Sequence, residues 1–250
     1  METIVWVDPP LSVAFPAGEI HLWRAALAQT DEVAQHLVRV LSDDEQRRAD
    51  GFHFERDRRA FGVGRGVLRM LIGRYLGIAP ARVRFEYGHW GKPRLAGTLS
   101  TSGLKFNAAH SDGLFLCGFT LEQEIGIDLE RIVPIPELLQ IAELAFSPAE
   151  HAALCALTAE ARTQAFFDFW TRREAWLKAG GESMAGPSDP TAEHPVMGER
   201  RGGGDPQSQG GAVDRWSIRT FRPASEYVAA LAVEGPPGPV QAWQWSSTTG

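Results

Sequence analysis

Cys117 and Cys155 are the only cysteines in this 250-residue chain, too few for a disulfide framework. No Cys-x-x-Cys pair or His/Cys spacing suits a thiolate metal site either. Long apolar runs are missing too, so nothing in the sequence is expected to span a bilayer. The opening Met-Glu-Thr-Ile-Val-Trp-Val-Asp-Pro-Pro has neither the basic flank nor the apolar stretch of a secretory signal. Lysine is scarce, at Lys92, Lys105 and Lys178 only, and arginine supplies the remaining positive charge. A net charge of −6 argues against a general nucleic-acid binder. There is no Gly-x-x-x-x-Gly-Lys-Ser/Thr phosphate loop and no Gly-x-Ser-x-Gly nucleophile turn. The expectation is a soluble, reduced, cytoplasmic protein without a membrane or nucleic-acid partner.

The 44% apolar and 22% charged residues are ordinary for a folded protein, and the length suffices for one large domain or two small ones. Thr3–Val7 and Ile20–Arg24 read as strands. Ser42-Asp-Asp-Glu45 has the capping-box pattern and opens a short helix through Arg47 and Arg48. Apolar residues at Phe61, Leu68, Leu71, Ile72 and Tyr75 predict a long helix from Arg58 to Leu76, stopped at Gly77. Phe61-Gly-Val-Gly-Arg-Gly66 falls inside that helix with no strand before it, so its glycines read as packing positions rather than a dinucleotide fingerprint. Val83–Tyr87 reads as a strand before the turn-rich Gly88–Arg94.

In the second half, Leu114–Phe119 and Ile125–Glu130 read as strands joined by a short turn. A helix over Ile135–Leu144 leads to a second capping box at Ser147-Pro-Ala-Glu150. A long helix follows over Thr163–Ala179, then late strands at Trp216–Phe221 and Tyr227–Val233. Each half thus holds strands and one dominant helix, which suggests two similar lobes, 1–107 and 108–235, with a cleft between them. Residues 187–212, rich in Gly, Pro, Ser and Gln, read as a mobile insertion. Residues 236–250 read as a tail in which Trp243 and Trp245 find packing.

Chemistry concentrates in Ile125-Gly-Ile-Asp-Leu-Glu130. Strand alternation sends Ile125, Ile127 and Leu129 into a core and Gly126, Asp128 and Glu130 to the other face, with the two acids roughly 7 Å apart at Cα. Such a pair suits one hard cation, and Mg²⁺ takes oxygen ligands while leaving room for phosphate and water. A solvated strand end with two acids is the plain alternative. On the last long helix, Phe167, Trp170, Glu174 and Leu177 share one stripe. Glu174 there is an acid in an inward-facing row that must neutralise, pair or hold a metal. An exposed pairing with Lys178 is its plain alternative. His110, at a loop-to-strand junction, suits either a phosphate or a backbone group. Lys92 sits in a turn that Pro93 pre-sets. Arg47, Arg48, Arg56, Arg58 and Arg59 cluster around Phe52-His-Phe54, which suits phosphate or an acidic partner, although each alone reads as a solvated helix residue.

Taken in order, Gly91-Lys-Pro93, Phe106-Asn-Ala-Ala-His-Ser111, Gly126-Ile-Asp-Leu-Glu130 and Phe169-Trp-Thr-Arg-Arg-Glu-Ala-Trp-Leu-Lys178 resemble the 4′-phosphopantetheinyl transferases of the Sfp type. The likeness runs from about Leu41 to Gly181. It implies an α+β fold of two similar lobes in pseudo-twofold arrangement, each a small antiparallel sheet with a long helix. It also implies coenzyme A in the cleft, and transfer of its phosphopantetheine to a serine of an acyl- or peptidyl-carrier protein by a monomeric enzyme. By the same resemblance Asp128, Glu130 and Glu174 hold Mg²⁺ (or Mn²⁺), and Lys178 meets phosphate. Lys92 and Pro93 border the adenine and phosphates. His110 meets the 3′-phosphate or its neighbours, with Arg48, Arg56 and Arg59 as further candidates. Glu150 or Glu130 serves as base. The chain departs from the family at Ala109, where a serine is usual, and at Arg173, where lysine is usual. Another Mg²⁺-dependent nucleotide enzyme and a non-catalytic carrier-binding module are the alternatives.

Overall fold

The computed structural model describes residues 3–89, 91–181 and 215–247. Residues 187–212, read above as an insertion, lie outside the described residues. Strand β1 (Ile20–Ala26) leads to helices α1 (Asp31–Val38), α2 (Asp43–Asp50) and α3 (Glu55–Leu76), then to the short strands β2 (Phe85–Tyr87) and β3 (Pro93–Leu95). Strands β4 (Leu104–Ser111), β5 (Leu114–Leu121) and β6 (Ile125–Arg131) precede α4 (Leu138–Ala145), α5 (Pro148–Cys155) and α6 (Ala159–Gly180). Strands β7 (Trp216–Phe221), β8 (Tyr227–Glu234) and β9 (Val240–Gln244) complete the described chain. It is a mixed α+β fold with small sheets.

Two sheets carry the architecture. The first runs β4-β5-β1-β9, antiparallel except for the parallel β1–β9 pair, and the second runs β6-β8-β7, antiparallel throughout. Helix α3 covers the outer face of the first sheet through Val63, Val67, Leu71 and Ile72, packed with Trp23, Phe115 and Phe119. The inner face of that sheet presents Ile20, Leu22 and Leu116 to Ile125, Ile127, Leu129 and Leu231 of the second. Helix α6 lies on the far side of the second sheet, where Ala175 and Ala179 meet Ala230 and Ala232. The layers are therefore helix, sheet, sheet, helix, with β6 between the first sheet and α6.

Local sequence accounts for the helix boundaries. Ser42 and Glu45 form the reciprocal capping box that starts α2, and Ser147 and Glu150 do the same for α5 with Pro148 in its first turn. Gly77 ends α3 at φ 64°, and Gly181 ends α6 at φ 79°, left-handed conformations that cost glycine little. A Cβ at Gly66 would fall 2.6 Å from the Leu37 Cβ, so the glycines inside α3 do serve close packing, here against α1. Glu45 and Arg69, both buried, bind each other at 2.5 Å and fix α2 on α3.

Four local expectations differ from what is observed. Thr3–Val7 forms no strand and contributes only a bridge from Val7 to Trp243. Strand β5 does not pair with β6: its partners are β4 and β1 in the other sheet. The tail supplies a strand, β9, although the burial of its Trp243 and of the following Trp245 is as expected. Finally, the division drawn at 107/108 falls inside β4. The shared cause is long-range pairing: β1 joins strands about a hundred and over two hundred residues away, which no local pattern encodes.

Candidate active site

The inner carboxylates are set by one glycine. Gly126 of β6 lies directly under α6, where a Cβ would fall deep inside van der Waals contact with the Ala175 carbonyl oxygen and the Ala179 nitrogen. The resulting close approach carries the Glu174–Lys178 turn of α6 over the face of β6 that holds Asp128. Lys178 Nζ stands 2.5 Å from Asp128 Oδ1 and 4.0 Å from Glu174 Oε2. Glu130 is next along the same strand, and its Oε2 accepts from Ser111 Oγ at 3.0 Å.

The electrostatics identify a strained acidic cluster. Asp128 is 4% exposed, and its Oδ2 is buried with no hydrogen-bond partner. Burial raises its pKa, against the pull of Lys178. Burial also raises Glu130, to about 7, with the neighbouring Asp128 charge adding to it. Glu174 is raised by burial and by Asp128, while Lys178 opposes. Glu130 and Glu174 therefore each respond to the charge of Asp128, and the single lysine leaves the cluster short of positive charge. Among the described residues no three acids stand at metal-holding distances. The donor set nevertheless fits a hard divalent cation: it is all oxygen, partly desolvated, and includes an orphaned carboxylate oxygen.

Beside the cluster opens a cleft of about 720 Å³, lined among others by Phe52, Arg56, Arg59, Phe61, His110 and Ser111. It reaches the start of α3, whose N-cap Phe54 makes no side-chain cap, so that helix end presents free N–H groups. Arg59 is held by the Gln29 carbonyl at 2.7 Å and Asp31 at 2.8 Å. Arg56 bonds Asp57, at 3.3 Å, and the Arg48 guanidinium stacks 5.3 Å over the Phe61 ring. His110 keeps solvent-exposed surface although it lies down in the cleft, whose walls lower its pKa, with Lys178 adding to the effect. Strand alternation explains its aim: His110 and Phe106 face α3, whereas Asn107, Ala109 and Ser111 face the second sheet.

Two expected site residues are engaged elsewhere. Lys92 is 9% exposed and donates to Glu124 at 2.9 Å and to the Ile125 and Ala179 carbonyls at 3.1 Å each. It braces the end of α6 on the start of β6, and Pro93 beside it pairs with Tyr87 in the β2–β3 ribbon. Glu150 Oε2 accepts from Ser147 N at 2.9 Å and Ser147 Oγ at 2.8 Å, which commits it to the α5 cap. Sequence reasoning gave no role to Ser111 or Asn107. The signal was their two-residue alternation with Ala109 on the face of β4 opposite His110.

Comparison with known proteins decides the family. The 4′-phosphopantetheinyl transferase HetI of Nostoc sp. (strain PCC 7120 / SAG 25.82 / UTEX 2576) is 37% identical over 236 residues, covering 92% of this chain and 94% of that protein. The chain belongs to the 4′-phosphopantetheinyl transferases. A family model described as the 4′-phosphopantetheinyl transferase superfamily matches residues 124–232, and one for the N-terminal part of such transferases matches residues 23–117. The Bacillus subtilis (strain 168) transferase Sfp is 27% identical over 160 residues, which is 64% of this chain and 69% of Sfp. The superfamily match spans both the Asp128–Glu130 strand and the Glu174–Lys178 turn, so the acidic cluster lies wholly within the part of the transferase that the family shares. No helix among the described residues is long and apolar enough to cross a membrane.

Proposed function

We propose that this chain transfers 4′-phosphopantetheine from coenzyme A to a serine hydroxyl of an acyl- or peptidyl-carrier protein, releasing 3′,5′-ADP. The observation that carries the proposal is the seating of the Glu174–Lys178 turn against Asp128 on β6, beside the cleft at His110. Asp128, Glu130 and Glu174 would hold Mg²⁺, with Mn²⁺ as a substitute. When bound, that ion supplies charge compensation for the pyrophosphate.

The chain's own groups divide the remaining work. Arg56, Arg59 and His110, at the open end of α3, receive the phosphate on the nucleotide, with Arg48 behind them. Lys178, already a donor to Asp128, offers its ammonium to phosphate oxygens on which charge builds. The serine oxygen forms a bond to the β-phosphorus while the bond from that phosphorus to the bridging oxygen breaks. The electron pair leaves with 3′,5′-ADP. Glu130, standing in the cluster, accepts the serine proton, in preference to Glu150, whose carboxylate is committed to the α5 cap.

The two sheet-and-helix halves would be related by a pseudo-twofold axis with coenzyme A between them, in a monomeric cytoplasmic enzyme. Lys92 and Pro93 would then border the nucleotide through their turn rather than through the lysine ammonium. The deciding experiment incubates the purified full chain with coenzyme A, Mg²⁺ and several apo-carrier proteins, and reads intact mass. A gain of one phosphopantetheinyl group on the carrier serine is expected. Coenzyme A binding without any modified carrier would overturn the proposal.

A further inference from the structure

Among the described residues, strand β6 forms one edge of the second sheet, pairing only with β8. Its other side is not left to solvent. Ile127 N donates to Asn107 Oδ1 at 2.8 Å, and Arg131 N donates to Ser111 Oγ at 3.1 Å. The two donors are four residues apart on β6 and the two acceptors four residues apart on β4, so side chains of one sheet satisfy the edge of the other at a fixed register. Asn107 ends its work there. Ser111 does not, because its hydroxyl hydrogen goes on to Glu130 Oε2 at 3.0 Å.

That chain of contacts fixes the hydroxyl. The Arg131 N–H occupies a lone pair of the serine oxygen, which turns the O–H toward the carboxylate. We infer that Ser111 is a positioning residue for Glu130: it holds Oε2 and so presents the carboxylate to the cation and the proton it serves. The inference rests on the function proposed above. It assigns a specific part to a side chain whose neighbour, His110, faces the opposite way into the cleft. One stretch of β4 would thus align both the anion-receiving wall and the carboxylate wall. The serine has no charge and lies outside the cation's donor set, so its influence runs through Glu130. Partners of this kind, one bond removed from a ligand, typically govern metal affinity by roughly 10- to 100-fold.

The test uses the full chain and its Ser111→Ala and Ser111→Thr variants. Mn²⁺ binding is read by the resonance signal of the free ion with coenzyme A present and no carrier. kcat and KM for coenzyme A, and thermal midpoints, are measured alongside. Ser111→Ala should weaken Mn²⁺ binding roughly 10- to 100-fold and lower kcat at a fixed, subsaturating ion concentration, with kcat and KM for coenzyme A returning to the parent's once the ion saturates. Ser111→Thr, which keeps the hydroxyl, should restore both. Unaltered Mn²⁺ binding in Ser111→Ala overturns the inference, whether or not the thermal midpoint falls, because a purely structural stitch leaves ion affinity alone. A threonine variant as defective as the alanine one also overturns it. Failure of the parent protein to modify any carrier would instead remove the proposed function, and this inference with it.

Discussion

Gly126 and Ala175 touch so closely that no side chain fits between β6 and α6 at that point. The contact sets the height of α6 above the strand, and with it the distance from Lys178 to Asp128. Gly126→Ala must push the helix outward, and overpacking of this kind costs about 1–3 kcal/mol or more. Thermal unfolding should register that loss. Because the displaced turn carries Glu174 and Lys178, transfer activity measured well below the new midpoint should fall further than the stability loss explains. Parent-like activity in the folded variant would show that the close approach is not what aligns the cluster.

How much of this was legible beforehand depends on the range of each signal. The Asp128–Glu130 strand, the Glu174–Lys178 turn and both capping boxes are local patterns, and all lie where spacing put them. Alternation alone placed Ile125, Ile127 and Leu129 in the core. Pairing was not legible: β5 crosses to β1, and β9 comes from a segment that composition marks as a tail. The function of Lys92 was also out of reach, since its carbonyl partners, Ile125 and Ala179, become neighbours only once α6 sits on β6.

Among the described residues, Lys178 is the only positive group bonded to Asp128. Its replacement by methionine keeps the aliphatic stem but leaves Asp128 and Glu174 facing each other unpaired. Transfer should fall by about 10²–10³ if the ammonium stabilises charge on the phosphate oxygens. The thermal midpoint should fall as well, and added Mg²⁺ should recover stability but not rate. Steady-state assays with differential scanning fluorimetry across Mg²⁺ concentrations separate the two effects, and recovery of rate by Mg²⁺ alone would remove Lys178 from the chemistry.

The raised acids make the metal-free protein sensitive to alkali. Glu130 titrates at about 7 when folded and at the ordinary 4.5 when unfolded, so the folded state holds the proton more tightly. Its contribution is fully present below the unfolded value and is lost as pH rises through about 7. Asp128 and Glu174 shift in the same direction. Metal-free protein should therefore lose stability between pH 5 and pH 8 by on the order of 2 kcal/mol. Glu130→Gln should flatten part of that slope, and Mg²⁺ should restore stability at the alkaline end. Chemical denaturation across the range, with and without the ion, provides the check; identical slopes for parent and Glu130→Gln would count against the assignment.

Lys92 offers a contrast between support and catalysis. Its ammonium is spent on Glu124 and two carbonyls, so Lys92→Met should cost on the order of 2 kcal/mol, or about 4–8 °C in a chain of this size. The folded fraction should keep its KM for coenzyme A. A large rise in that KM at unchanged stability would mean that the ammonium swings out to meet the nucleotide.

His110 should discriminate between nucleotides rather than drive the reaction. Burial in the cleft and the Lys178 charge hold its pKa below the ordinary imidazole value, so near neutrality and above it the ring offers a hydrogen bond and no charge. It stands with Arg56 and Arg59 at the uncapped start of α3, a place suited to a phosphate group. A hydrogen bond to a charged group contributes about 1.5–3 kcal/mol, so His110→Ala should raise KM for coenzyme A by roughly 10- to 100-fold. The same substitution should barely change KM for 3′-dephospho-coenzyme A, which lacks the phosphate in question, and kcat should stay close to the parent's for both. Competition between the two substrates in one assay measures the ratio directly. An equal loss toward both would mean that His110 serves the pyrophosphate or the fold of β4, and the 3′-phosphate would then have to be received elsewhere along the cleft.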